Sequence, residues 1–212
     1  MKRTCTKHAF AAHLTQSLFG TWRHRTAFFK VVTLLVSLDM MLLGALPVLA
    51  LPQGGTVKSG DVTFDDASAG TLIVNQASGK ASIDWSGGFN IGASELVKFI
   101  QPGSSSVAVN RDSSGSLSEI WGSLQANGQI YLLNPNGILF GAGSSVNVGG
   151  LIAAAMNSME GGYGSDSIRF SGGGPVTVQG GASISAGKYA YLIGSVVDNA
   201  GSISAGDVIL AA

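Results

Sequence analysis

The side chains able to do covalent or acid–base chemistry are few and poorly placed for it. Histidine stops at His24 and Cys5 is the single cysteine, so a Ser-His-Asp arrangement has no base beyond His24. Glycoside hydrolysis needs two carboxylates facing one cleft. Asp65 and Asp66 are adjacent, so on a strand they point to opposite faces. Asp84, Glu95, Asp112, Glu119, Glu160, Asp166, Asp198 and Asp207 are scattered along the chain. Gly161 to Arg169 fits the GGxGxDxUx calcium nonapeptide, which completes its site only when stacked on a further copy. One copy is present, so the stretch reads as a glycine-rich excursion. The expectation is a protein that is not an enzyme and takes no metal and no cofactor.

Composition says what kind of scaffold carries these residues. The net charge of the 212 residues is zero, but residues 1–38 hold six Lys or Arg and no acid. From Leu51 onward there are six basic and eleven acidic residues, so this part has no basic footprint for nucleic acid. All but two of the chain's glycines also lie in this part. Such glycine content suits disorder only when hydrophobicity is low and net charge high. Here Val, Ile, Leu and Phe recur every few residues, which points to short strands and tight turns. A cysteine-free segment crossing an oxidising compartment forms no cross-links of its own.

Lys2, Arg3, Lys7, Arg23, Arg25 and Lys30 precede an apolar run from Val31 to Leu51, and Val48-Leu49-Ala50 offers small residues before a cut after Ala50. This is the order of a secretory signal with an extended n-region. Asp39 would cost a membrane span about 2.5–3.5 kcal/mol, which a strong apolar run tolerates. Pro47 and the shift to Leu51-Pro52-Gln53-Gly54-Gly55 favour cleavage over an anchor. The expected division is a signal peptide over 1–50 and one domain over 51–212.

Beyond Gly55 the apolar period is two. Val62/Phe64, Ile83/Trp85, Val107/Val109, Val146/Val148, Val176/Val178 and Ile184/Ala186 each place two apolar residues on one strand face. One helix is expected over Ala93 to Ile100, where Leu96, Val97 and Ile100 have helical spacing and Ser94 suits the cap. Ser183-Ile184-Ser185-Ala186-Gly187 recurs unchanged as Ser202-Ile203-Ser204-Ala205-Gly206. Ser145-Val146-Asn147-Val148-Gly149 precedes the first copy by twice the interval between the two copies, which reads as two such steps. A fixed period points to a solenoid. A step of about 19–20 residues fits three strands and three turns, hence a parallel β-helix whose coils bury their apolar faces on their neighbours. Gly55 to Phe64 is the expected cap at one end. The apolar close Val208-Ile209-Leu210-Ala211-Ala212 leaves the other end uncapped, so the chain is expected to be truncated there or to continue into a longer exoprotein.

The sharpest local signal is Gln129-Ile130-Tyr131-Leu132-Leu133-Asn134-Pro135-Asn136-Gly137-Ile138-Leu139-Phe140-Gly141. Two apolar strands flank Asn-Pro-Asn-Gly, in which Asn134, Pro135 and Gly137 suit positions i, i+1 and i+3 of a type I turn. Together with Phe89-Asn90-Ile91-Gly92, Val97-Lys98-Phe99-Ile100, Val109-Asn110-Arg111, Gly122-Ser123-Leu124 and Asn127 to Tyr131, this stretch resembles a known family. That family is the two-partner-secretion domain, the haemagglutination-activity domain at the N-terminus of filamentous haemagglutinins, in its high-molecular-weight adhesin branch. The NPNL motif that the haemagglutinin branch carries upstream is missing, and Asn110-Arg111 occupies the comparable region.

The resemblance implies an all-β, right-handed parallel β-helix and a role in secretion. It implies passage through the Sec translocon, removal of the signal by signal peptidase, and recognition in the periplasm by an outer-membrane TpsB-type β-barrel transporter with POTRA domains. The product would then fold outside, on the cell surface or in the medium. The residues expected to matter are Asn134, Pro135, Asn136, Gly137 and Ile138, with Asn110 and Arg111 after them. Asn136 either contacts the transporter or only stabilises the turn, and the turn role is preferred. Host-cell surfaces or glycans are expected partners of the cargo, not nucleic acid. Two other readings stand beside this one. A stand-alone β-helical adhesin would present Trp85, Trp121, Tyr163, Tyr189 and Tyr191, although core or stacking positions suit them better. The other is a polysaccharide-degrading β-helix.

Overall fold

The computed structural model describes residues 51–156, 158–160, 169–171 and 173–212. Residues 1–50, expected to be a signal peptide, and Gly161 to Ile168, which hold Tyr163 and all but the last residue of the calcium-like motif, lie outside the described residues. The described chain is built of strands and turns.

Two short strands start the domain, β1 (Gly55–Ser59) and β2 (Val62–Ser68). The coils follow. The first holds β3 (Thr71–Gln76) and β4 (Lys80–Trp85), and its third side is a single bridge at Ile91. The second holds β5 (Leu96–Ile100), β6 (Val107–Asp112) and β7 (Ser118–Ile120). The third holds β8 (Ser123–Ala126), β9 (Gln129–Leu133) and β10 (Ile138–Phe140). The fourth holds β11 (Ser145–Val148) and β12 (Gly150–Ala154), then the hairpin strands β13 (Ser158–Glu160) and β14 (Arg169–Ser171), then β15 (Pro175–Val178). β16 (Ser183–Ile193) runs along two sides of the fifth coil, which β17 (Val196–Asn199) completes, and β18 (Ser202–Ala211) repeats that course.

Stacking makes three parallel faces. β3, β5, β8, β11 and the first halves of β16 and β18 form one. β4, β6, β9, β12 and the second halves of β16 and β18 form another. β7, β10, β15 and β17 form the third. The described domain is therefore a parallel β-helix. β1 and β2 pair antiparallel with β4 and β3 and cover the first coil, with Leu51 and Val62 packed on the core.

Inward side chains alternate with outward ones because strand side chains have period two. Val97 and Phe99, Val146 and Val148, Val176 and Val178, and Ile184 and Ala186 all enter the central core. The exact repeat stacks in register, Ser183 on Ser202 through Ala186 on Ala205.

Two expectations are corrected. Leu96 to Ile100 is a strand, not a helix, because β3 and β8 both offer parallel edges to it and these pairings outweigh a weak local preference. The stretch from Ser145 to Ser183 is one coil rather than two, since these residues pair directly. The β13–β14 hairpin enlarges that coil. Val107 and Val109 share a face as expected, but it is the outer one. There they join Leu133, Ile152, Ala154 and Met156 in a second apolar cluster edged by Tyr131, Tyr189, Tyr191 and Ile193.

Candidate functional site

β9 and β10 are held by Ile130, Leu132, Ile138 and Phe140, all buried, and the chain turns between them at Asn134 to Gly137. The Gly137 amide donates to the Asn134 carbonyl at 3.1 Å. Every positive φ in the described chain belongs to glycine, so Asn136 excludes a type II turn and the type I expectation fits. The Asn134 side-chain oxygen accepts from the Asn136 amide at 2.9 Å and from its Nδ2 at 3.3 Å. This is an Asx turn laid over the backbone turn.

Asn134 itself is fully buried. Its Nδ2 donates to the Ser116 carbonyl at 2.8 Å and to Ser118 Oγ at 2.9 Å, both in the previous coil. Gly137 (φ +116°) is wedged between coils: a Cβ there would meet the Pro175 carbonyl at 2.8 Å and Leu117 Cδ1 at 2.9 Å. Pro135 is half-buried and Asn136 is exposed. In the folded domain Asn136 is thus the motif side chain most open to a partner, while Asn134 works inward.

Asn110 is also buried and accepts from Trp85 Nε1 at 3.1 Å. Arg111 points outward, stacked on Leu133. Neither residue occupies the corner that matches Asn134. That place falls to Asp112, one step past the Arg111–Leu133 pair. Asp112 Oδ1 accepts from the Ser114 amide at 3.0 Å and Ser114 Oγ at 2.7 Å. Gly115 follows with φ +82°. Asp112-Ser113-Ser114-Gly115 is thus an Asx turn of the same form, one coil earlier. Sequence reading missed it because Asp and Ser replace both asparagines and the proline is absent. The short, fixed step from an acceptor side chain to glycine was the available signal.

The aromatic residues divide by environment. Trp85 is core, edge-on to Phe89 and Phe64. Trp121 is half-buried, with its ring over Gly141. Tyr189 and Tyr191 are half-buried and stacked on the outer face, centroids 4.8 Å apart. The Tyr189 hydroxyl donates to Gln129 and meets that of Tyr131 at 2.9 Å. Burial, then the bond to Tyr131, holds the Tyr189 phenol well above its ordinary range. Tyr191 is raised by its hydrogen bond to Asp207.

Likenesses of three kinds to known proteins accompany this geometry. The family described as the TPS secretion domain matches residues 49–212. Two relatives are named heme/hemopexin-binding protein, both from Haemophilus influenzae. One is 44% identical over 102 residues and the other, from strain KW20 / Rd, 41% identical over 103. These alignments cover 48% and 49% of this chain but 11% of each relative. Among solved structures, the HMW1 secretion domain from Haemophilus influenzae matches with a TM-score of 0.55 and 26% identity, over 74% of this chain and 44% of that one.

Proposed function

This chain belongs to the TPS (two-partner-secretion) secretion-domain family, and on that premise we propose that residues 51–212 are the export address of a longer, adhesin-like exoprotein. In this reading residues 1–50 bring the chain through the Sec translocon and are removed by signal peptidase. The extended domain is then recognised by the POTRA domains of a TpsB-type outer-membrane barrel, with strand addition as the mode of contact. It folds outside, coil upon coil. The Asn134–Gly137 turn is the element on which secretion depends.

The single observation that carries this reading is the family match across the whole β-helix. The architecture supports it physically. Each coil completes its hydrogen bonding and buries its apolar side chains on the coil before it, so apolar burial favours outward movement once the first coils have formed. The relatives' heme/hemopexin binding forms no part of this proposal, because the matched stretch is 11% of each relative's length.

The test is to express the chain in cells with and without a cognate barrel transporter. The expected result is product in the medium only when the barrel is present. Equal appearance in both would overturn the reading.

A further inference from the structure

Among the described residues, the buried polar side chains all lie between Gln76 and Ser144. The later coils fill the same interior with Ala, Val, Leu and Ile. Polar groups in a core cost stability unless each is paired, so their confinement to the early coils calls for a role. One group of them is directional. Asp112 Oδ2 accepts from the Phe89 amide at 2.8 Å and from Ser118 Oγ at 2.6 Å. Its Oδ1 accepts the Ser114 amide and hydroxyl. Ser118 Oγ, its proton committed to Asp112, accepts from Asn134 Nδ2. The order of donors runs from Asn134 through Ser118 to Asp112, across two coils.

We propose that Asp112 and Ser118 are positioning residues for the Asn134–Gly137 turn, forming a latch that closes only when the second and third coils stack. This proposal deepens the export-address reading and rests on it for its biological meaning. The chemistry at each end of the latch is specific. Four donors converge on Asp112, two of them backbone amides on different oxygens, so the site takes only a group with acceptors on both arms. An asparagine at 112 sets its NH2 against the Phe89 amide in one orientation and the Ser114 amide in the other. Asn134 is the reverse case. It must accept from the Asn136 amide with one arm and donate to the Ser116 carbonyl with the other. Aspartate there faces a carbonyl with an oxygen. Neither residue makes its full set of bonds in an extended chain, because Phe89 reaches Asp112 from the coil before it, and Ser116 and Ser118 reach Asn134 likewise. The bonds that tie the turn to the coil before it therefore form only on stacking, and the segment stays unlatched while it is unfolded.

The test uses the full chain, refolded from denaturant, and the same variants followed in secretion with the barrel present. D112N and S118A are expected to slow refolding about tenfold, the scale for losing a charge-assisted bond formed early in folding. S118T, which keeps the hydroxyl, is expected to restore the rate. N134D is expected to behave as D112N does. If D112N does not fold at all, the S118A and S118T pair decides. Native-rate refolding of S118A overturns the latch and leaves the export-address reading standing. Slow refolding of S118A with S118T restored, together with undiminished secretion of both, upholds the latch and overturns the role assigned to the turn in export.

Discussion

The Trp85 indole N–H donates to the Asn110 side-chain oxygen at 3.1 Å inside the β-helix, with both residues shielded from solvent. Asn110 sits in a column whose neighbours are Ile83 and Leu132, so its amide is an exception in an apolar stack. Replacing it with Leu keeps the branched outline and strands the indole proton. Asn110→Leu should lower stability by about 1–3 kcal/mol, the cost of an unsatisfied buried donor. Arg111→Ala, on the exposed side of the same strand, should stay within about 0.5 kcal/mol of the native chain. Denaturant unfolding followed by tryptophan fluorescence measures both, and equal effects would contradict the division between the two residues.

Gly137 and Gly143 separate two reasons for glycine. Both have positive φ, +116° and +86°. A methyl at 137 meets Pro175 and Leu117 at 2.8 and 2.9 Å, whereas nothing lies within 4 Å of one at 143. Gly143→Ala should cost about 1 kcal/mol of backbone strain. Gly137→Ala adds overpacking between coils and should cost about 2–4 kcal/mol. Thermal unfolding of the two variants orders them. A smaller loss at 137 would mean that the corner yields more readily than its contacts imply.

Sequence periodicity carried the architecture because the core is made of side chains that alternate, and alternation survives without knowing the pairing. The exact copy at Ser183 and Ser202 is legible for the same reason: the two segments occupy equivalent places and pair in register. What failed was anything set by a distant partner. Leu96, Val97 and Ile100 have helical spacing by coincidence, while β3 and β8 decide their conformation. The Ser145–Ser183 interval equals two steps in number, but an inserted hairpin makes it one. The turn at Asn134 was legible from its proline and glycine. Its likeness to Asp112–Gly115 was not, because hydrogen-bond geometry can be the same while the letters differ.

The tyrosines on the outer face set an alkaline limit. Burial and the bond to Tyr131 raise the Tyr189 phenol, and a bond to Asp207 raises Tyr191. An unfolded tyrosine ionises near pH 10, before the folded one does. Their contribution is thus fully present below about pH 10 and is lost as pH rises from there toward the folded values. The slope should stay below about 1.4 kcal/mol per pH unit for Tyr189, because its ring is partly solvated. Stability measured from pH 9 to pH 12 should fall, and Tyr189→Phe should flatten the fall. A Tyr189→Phe curve parallel to the native one would remove Tyr189 from this role.

Val146 and Ile184 lie in register on adjacent coils, both fully buried. Either one changed to Asp places a carboxylate among apolar side chains, which should cost at least about 3 kcal/mol if the chain folds at all. Ile184→Val removes one methylene and should cost about 0.5–1.5 kcal/mol. If stacking of coils outside the cell biases movement through the barrel, the export rate should follow this order: native, then Ile184→Val, then the two Asp variants. All three substitutions lie outside the Asn134–Gly137 turn, the element to which the proposed function ties secretion. Pulse-chase appearance in the medium gives the rates. Unchanged export of Val146→Asp and Ile184→Asp would show that folding follows secretion without pulling it.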